Sequence, residues 1–191
     1  MKKVTYIILT ILVAISVSCK SKSKPLEVLE IGSNFTLTDH NGNDFELTQL
    51  QGKIVFIFFG YTHCPDACPT TLSKIGAFYK KMGADADDVA TLFISIDPKR
   101  DTIDKLKKYM GYFEYGPIGL VGTQKEITAV TNSYKIIAQK RMEGGKSGYL
   151  MDHSTSIFIL GRQGKVRQLF NPLENVSTLI SIVQLLKEED N

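Results

Sequence analysis

Cysteine is scarce in this sequence, and net charge is small. Only three cysteines occur among 191 residues, too few for the dense disulfide framework that stabilises small secreted scaffolds. The 23 Lys and Arg residues nearly balance the 20 Asp and Glu residues, which leaves a net charge of +3. Such a small charge argues against a nucleic-acid-binding protein. Because three cysteines cannot all pair with one another, at least one needs a separate role.

Long apolar segments and internal repeats are also missing. The apolar run at residues 4–17 is shorter than the roughly 20 residues of a membrane-spanning helix. With Lys2 and Lys3 in front of it, the run is typical of a secretory signal peptide. The chain has no internal repeat and no low-complexity tract, and its hydrophobic fraction of 43% is ordinary for a packed protein. Its length therefore predicts one globular domain behind a short leader.

The first cysteine, Cys19, directly follows this apolar run. The arrangement resembles a bacterial lipoprotein signal, in which the cysteine is lipidated and becomes the first residue of the mature protein. Residues 1–18 are then the signal peptide, 19–28 a lipidated tether and 29–191 the working domain. Ser16 stands where such signals usually carry Leu, and an uncleaved anchor or ordinary signal cleavage are the alternatives. We expect an exported protein of a bacterial cell envelope, held at the membrane by lipid.

Hydrophobic patterns in the rest of the chain predict alternating strands and helices. The alternation on both sides of the Asn41-Gly42 turn predicts an N-terminal β-hairpin. Uninterrupted apolar runs at 53–60 and 89–96 are typical of strands buried on both faces. Helical spacing follows each run, and a strand pair and an amphipathic helix end the chain. This order predicts an α/β domain with a mixed central sheet flanked by helices.

Single residues give more detailed expectations. Pro69 suits the first position of the helix after the first buried strand, and Asp101 suits the N-cap of the next helix. Residues 136–142 are predicted to form a strand. Three methionines are expected to fill the core rather than bind metal: Met110, Met142 and Met151.

The other two cysteines lie together in Gly60-Tyr-Thr-His-Cys64-Pro-Asp-Ala-Cys68-Pro69, between a buried strand and a helix. A helix N-terminus lowers the pKa of a thiol placed there. Two sulfurs at this spacing can bind one metal ion or form a disulfide, and the alternative is two buried, inert cysteines. Zinc normally recruits four protein ligands, and the chain has no second cysteine pair. Two thiolates and one imidazole instead suit copper(I), a soft ion.

Three histidines are available as the third ligand. His63 adjoins Cys64, and adjacent side chains tend to diverge. His40 lies beside the Asn41-Gly42 turn and is expected in an exposed loop. His153 precedes a predicted inner strand, from which it could face the cysteine turn. A histidine of this kind is more often structural, but the cysteine pair favours His153 as a ligand.

Three segments of the chain resemble the SCO/SenC family. They are the cysteine motif at 60–69, the Ser-Ile-Asp-Pro-Lys-Arg-Asp-Thr segment at 95–102 and the Asp-His-Ser-Thr segment at 152–155. Their order and separations also agree with the family, over roughly residues 29–186. The resemblance implies a thioredoxin-like fold tethered at the membrane. It further implies a role in assembling the dinuclear copper centre of cytochrome c oxidase.

The resemblance also implies a specific copper site. The family's ligands map onto Cys64, Cys68 and His153, which would hold Cu(I), Cu(II) or both. The implied partners are the copper-bearing subunit of the oxidase and another copper chaperone or a thiol oxidoreductase, and we expect a monomer. Ala67 and Ser154 stand where the family often has a bulkier aliphatic residue and Thr, and neither change removes a ligand.

The main alternative is a thiol–disulfide oxidoreductase that uses Cys64 and Cys68 as a redox-active pair. A Cys64–Cys68 disulfide would abolish copper binding, so the two roles depend on the same redox state. Thioredoxin-type sites usually have two residues between the cysteines rather than three. They also have a cis-proline opposite the pair, whereas Ser154 and Thr155 lie near that point here. We therefore expect a copper metallochaperone, and a peroxiredoxin-like role fits less well because the second cysteine follows too closely.

Overall fold

The computed structural model describes residues 25–142 and 148–189, which alternate between strands and helices as predicted. The strands of this part of the chain are β1 Thr36–Asp39, β2 Asp44–Glu46, β3 Ile54–Gly60, β4 Val89–Ser95, β5 Ile118–Val121, β6 Ala138–Met142, β7 Tyr149–His153, β8 Ile157–Leu160 and β9 Val166–Phe170. Its α-helices are α1 Ala67–Met82, α2 Ile103–Met110, α3 Gln124–Ser133 and α4 Val176–Glu189. Short 3₁₀ turns occupy Leu47–Leu50 and Gly83–Ala86.

The predicted signal peptide and Cys19 lie outside the described residues. Within 25–142 and 148–189, no helix is long and apolar enough to cross a membrane.

Seven strands form one mixed sheet in the order β2-β1-β5-β4-β3-β8-β9. The three central strands β3, β4 and β5 run parallel to one another. Strand β8 runs antiparallel to β3 on one side, and β1 runs antiparallel to β5 on the other. Strands β1 and β2 form the predicted hairpin. The predicted mixed sheet is therefore confirmed.

Strand β3 is buried along its whole length because helices cover both faces of the sheet. On one face the Phe56 ring contacts Phe78 of α1, with centroids 5.1 Å apart. On the other face the Phe59 ring lies 5.5 Å from Tyr134, just after α3. Successive side chains of a strand point to opposite faces, so an uninterrupted apolar run is what two covered faces require. The sequence-based prediction for residues 53–60 is confirmed.

Strands β6 and β7 form a separate two-stranded sheet, called the arm below. Its register places Ala138 opposite His153. The predicted strand at 136–142 begins at Ala138, and β7 was not predicted at all. Most of β6 is exposed, and Met142 is 79% exposed, so its predicted place in the core is wrong. A strand with little buried surface carries no clear hydrophobic alternation, which explains why the pattern did not reveal β7.

Two helix starts differ from the sequence-based expectation. Helix α1 begins at Ala67, which puts Pro69 in the third helical position rather than the first. Pro is tolerated there because N–H groups of the first turn have no partner inside the helix. The N-cap of α2 is Thr102, whose hydroxyl accepts a hydrogen bond from the Lys105 N–H. Asp101 is therefore not the cap, and it is buried for another reason.

Candidate metal site

The two cysteines lie where β3 ends and α1 begins. Cys68 is in the first turn of α1 and is fully buried, whereas Cys64 is half-buried in the preceding loop. The last residue of β3 is Gly60, and its lack of a side chain makes room for the pair. A Cβ at this position would lie 3.0 Å from the Cys68 sulfur and 2.6 Å from the Phe93 ring. Because Gly60 has no side chain, the Cys68 sulfur can pack directly against the sheet.

The two thiols are electrostatically unequal. The Cys68 thiol donates a hydrogen bond to the Cys64 sulfur and thereby lowers the pKa of Cys64 to about 5, although partial burial acts in the opposite direction. The Cys68 N–H, 3.4 Å from that sulfur, stabilises the thiolate further. The same hydrogen bond, together with burial, raises the pKa of Cys68. At neutral pH the pair therefore consists of one thiolate and one thiol.

The imidazole of His153 reaches this pair from the arm. Strand β8 pairs with β3 so that Ile157 lies opposite Phe58, which brings the end of β7 to the carboxyl end of β3. The Nε2 atom of His153 lies 3.9 Å from the Cys68 sulfur, and Nδ1 lies 2.8 Å from the Ser154 carbonyl oxygen. A carbonyl can only accept, so Nδ1 carries the proton. The lone pair of Nε2 is consequently directed to the cysteines.

The distance between the Cys68 sulfur and the His153 Nε2 suits a small soft ion. Within residues 25–142 and 148–189, no three His, Cys, Asp or Glu side chains are already arranged to hold a metal ion. An ion bonded to sulfur at about 2.3 Å and to nitrogen at about 2.0 Å, with a trigonal angle, separates the two ligand atoms by about 3.7 Å. The distance from the Cys68 sulfur to the His153 Nε2 is 3.9 Å. The donor set and this distance fit a two-sulfur, one-nitrogen site.

The structure does not bring the other histidines to the cysteine pair. The Nδ1 atom of His63 faces away from it, 3.2 Å from the Thr62 hydroxyl and 3.7 Å from the Asp101 carboxylate. His40 is half-buried, and its Nδ1 accepts a hydrogen bond of 2.9 Å from the Gly119 N–H. His40 lies in the turn after β1, as expected, but the expected exposure is wrong, because its side chain and backbone both bond to Gly119 of β5.

Asp101 is a buried residue that supports the cysteine loop. Its carboxylate accepts hydrogen bonds from the Thr62 N–H at 3.0 Å and from the Thr62 hydroxyl at 2.6 Å. The Ser95 hydroxyl, at the end of β4, donates a third at 2.6 Å. Asp101 therefore ties the cysteine loop to the neighbouring strand. In the sequence, only the family-like segment at 95–102 signalled this role.

A second network connects the segment after β4 to the arm. Arg100 donates from Nε to Asp97 and from Nη1 to the Tyr149 carbonyl, 2.9 Å away. The Tyr149 hydroxyl donates to Asp97 at 2.8 Å. The Met151 N–H donates to the Tyr61 hydroxyl at 3.2 Å. These contacts join residues that are far apart in the chain, so local pattern could not predict them.

Comparison with known proteins gives a consistent result. The SCO1/SenC family model matches residues 23–188. A SCO2-like protein of Rickettsia felis is 35% identical over 162 residues, covering 80% of this chain and 79% of the relative. The solved structure of Bradyrhizobium japonicum ScoI with copper bound is 40% identical, with a TM-score of 0.74, and covers 81% of this chain and 98% of that one.

Another similar structure is that of BsSco, described as a member of the Sco family of cytochrome c oxidase assembly proteins, with a disulfide switch. It is 25% identical, with a TM-score of 0.69, and covers 85% of this chain and 98% of that one. These structural similarities confirm the predicted thioredoxin-like α/β fold.

Proposed function

Because this chain belongs to the SCO1/SenC family, we propose that it is a copper metallochaperone for the assembly of cytochrome c oxidase. The observation that carries the proposal is the 3.9 Å distance between the Cys68 sulfur and the His153 Nε2, beside the Cys64 thiolate. Copper bound to the similar ScoI protein and the assembly role described for BsSco support it. The proposed recipient is the dinuclear copper centre of the oxidase's copper-bearing subunit.

The residues are suited to taking up copper as cargo. Cys64 offers a thiolate at neutral pH, whereas the Cys68 thiol must lose its proton as it bonds to the metal. His153 offers the Nε2 lone pair, with Nδ1 bonded to a carbonyl. Cys64 and His153 are both partly exposed, so a ligand from a partner protein has access to the ion. Copper can then leave by stepwise ligand exchange.

The oxidation state of the pair would control loading. When a partner disulfide oxidises the pair, a Cys64–Cys68 disulfide forms, the remaining thiol proton is released and the two electrons reduce the partner to thiols. No thiolate is then left for copper. The unequal thiols also favour a second candidate function, a thiol–disulfide oxidoreductase. In that role the accessible Cys64 thiolate attacks a partner disulfide, and the buried Cys68 then resolves the mixed disulfide.

The proposed location is the extracytoplasmic side of a bacterial membrane. Cys19 would carry the lipid, and residues 19–28 would link it to a monomeric domain. Several acyl chains on one cysteine hold a protein stably, where a single chain does not. This arrangement would keep the chaperone near a membrane-bound oxidase.

Anaerobic copper titration of the full-length protein in detergent tests the proposal. We expect one Cu(I) per chain for the wild type, and at least a tenfold loss of affinity for Cys64→Ser, Cys68→Ser and His153→Ala. His63→Ala is the matched control, because this neighbouring histidine is directed to Asp101, and it should bind copper like the wild type. Unchanged affinity in any of the three ligand variants would remove that residue from the site.

A disulfide-exchange assay separates the two candidate functions. An oxidoreductase should keep its exchange activity in His153→Ala and lose it in Cys64→Ser. If the wild type binds no stoichiometric copper but exchanges disulfides at rates that depend on Cys64, the oxidoreductase replaces the metallochaperone.

A further inference from the structure

His153 reaches the cysteines from an element that is not part of the central sheet. In the described part of the chain, β6 and β7 pair with each other and not with the seven-stranded sheet. The cysteines, by contrast, are held by β3 and α1. Strand β8 fixes the chain just after His153 to the central sheet, and the side chains that fasten the arm to the rest of the protein restrain the chain before it.

Arg100 is the centre of those contacts. Its guanidinium lies over the Tyr149 ring at 3.6 Å and near the Tyr61 ring at 5.6 Å. It also donates hydrogen bonds to the Asp97 carboxylate and to the Tyr149 carbonyl. The Arg100 side chain is 16% exposed and that of Asp97 is 1% exposed. Such pairs are screened little by solvent, so this contact restrains the arm more than a surface ion pair would.

Alternation along β7 places Tyr149, which contacts Arg100, on the same face of the strand as His153. Tyr149, Met151 and His153 alternate along the strand and share one face. The Tyr149 ring stacks on Arg100, Met151 packs against the core, and His153 reaches Cys68. Tyr149 is bonded to Arg100 and Asp97, and Met151 is bonded to Tyr61. His153 follows on the same face about 13 Å along the strand from Tyr149, at about 3.3 Å per residue.

We propose that Arg100 is a positioning residue for the third copper ligand. It holds the arm so that the His153 Nε2 stays within bonding reach of an ion at Cys64 and Cys68. This inference rests on the proposed function for its effect on copper, although the geometry it describes exists without metal. Arginine suits the role because its planar fork can donate in two directions while stacking on a ring, which an ammonium group cannot do.

Weakening the contacts between the arm and the rest of the protein should reduce only the part of the copper affinity that depends on His153. We expect Arg100→Lys to lower copper affinity about 10- to 100-fold, the range typical of residues that orient metal ligands. In a His153→Ala background the same change should cost less than twofold, because no third ligand remains to be positioned. Arg141→Lys is the matched control, since Arg141 is on the arm but pairs with exposed Asp152 on the solvent side.

The test measures anaerobic copper affinity of the full-length protein for the wild type, the three single variants and the double variant. A second readout, in the metal-free reduced protein, is the NMR cross-relaxation between the Tyr61 and His153 rings, whose centroids are 6.0 Å apart. We expect Arg100→Lys to weaken this signal and Arg141→Lys to leave it unchanged. If Arg100→Lys does not fold, Tyr149→Phe, which removes only the hydroxyl bond to Asp97, should show a smaller effect of the same sign.

Two outcomes overturn the inference and leave the proposed function intact. One is a ring signal and copper affinity in Arg100→Lys equal to those of the wild type. The other is an equal loss of affinity with and without His153, which would show a general structural role. If the wild type binds no copper, the proposed function fails instead, and the ring signal alone then decides whether Arg100 positions His153.

Discussion

Cys64 should react as a thiolate at a pH where an ordinary cysteine is fully protonated. Its pKa is lowered from 9.0 to about 5, chiefly by the hydrogen bond from the Cys68 thiol. An acid with a lowered pKa keeps its charged form down to a lower pH. The rate of Cys64 alkylation should therefore rise through about pH 5 and level off by about pH 7. At neutral pH nearly all of Cys64 is then ionised.

The size of the effect determines which measurement is informative. At pH 7 the lowered pKa raises the thiolate fraction from about 1% to about 99%, roughly 100-fold. A thiolate of lower pKa is also a weaker nucleophile, by about 40- to 100-fold over this shift. The two factors nearly cancel, so the rate at pH 7 distinguishes nothing. At pH 5 the thiolate fractions are about 50% and about 0.01%, which leaves Cys64 about 50- to 100-fold faster than an ordinary cysteine.

The assay is iodoacetamide alkylation of the metal-free, reduced, full-length protein across this pH range, with the Cys64 peptide followed by mass spectrometry. Cys68→Val removes the donating thiol at similar volume and should move the midpoint to higher pH. Cys68→Ser keeps a hydroxyl donor and should leave the midpoint lower than Cys68→Val does. A wild-type midpoint near 9, or one that Cys68→Val does not move, would refute the reasoning that the Cys68 thiol sets the pKa of Cys64.

Three other changes have expected outcomes. Gly60→Ala should lower the free energy of unfolding in urea by about 1–3 kcal/mol through overpacking and weaken copper binding by displacing the Cys68 sulfur. Gly111→Ala is the control and should be neutral or slightly stabilising, because Gly111 has a helical φ of −63° and an added Cβ would meet only ordinary contacts at 3.4 Å. Asp101→Asn should lower the same free energy by about 2 kcal/mol, since it removes the charge that strengthens three hydrogen bonds and replaces one accepting oxygen with an NH2 group. An unchanged urea midpoint would contradict this. Cys19→Ser should abolish labelling by a fatty-acid analogue, and labelling equal to that of the wild type would exclude lipid attachment at that residue.

Several elements of the fold were predictable because their signal is local. The run at 53–60 must be buried on both faces to tolerate consecutive aromatic and β-branched residues, and the structure covers β3 on both sides. The Asn41-Gly42 turn requires the positive φ that glycine adopts easily, and Gly42 has a φ of 89°. The arm was partly missed because its strands bury little surface. The arm therefore lacks the clear alternation of apolar and polar residues from which strands are predicted.

The candidate site also combines residues that local sequence indicated with residues that it did not. Cys64 and Cys68 are four residues apart in one loop-to-helix segment, so the sequence alone indicated that their sulfurs can meet. His153 is 85 residues away from Cys68 along the chain, and its choice over His40 and His63 depended on strand order and on a family resemblance. The assignment of all three as copper ligands stays a prediction. The buried carboxylates Asp97 and Asp101 had no signal of their own in pattern or composition.

Residue types and their spacing already specify the chemical groups that this protein can offer: two thiols, a strand-to-helix turn to present them, and a third cysteine after an N-terminal apolar run. How those groups differ from one another depends on the packed fold. The fold buries Cys68 and bonds it to Cys64, which separates their pKa values. It also directs the Nε2 of His153 to the pair through an arm held by Arg100. Residue types and spacing act locally, whereas burial, hydrogen-bond partners and interatomic distances exist only once distant segments pack together.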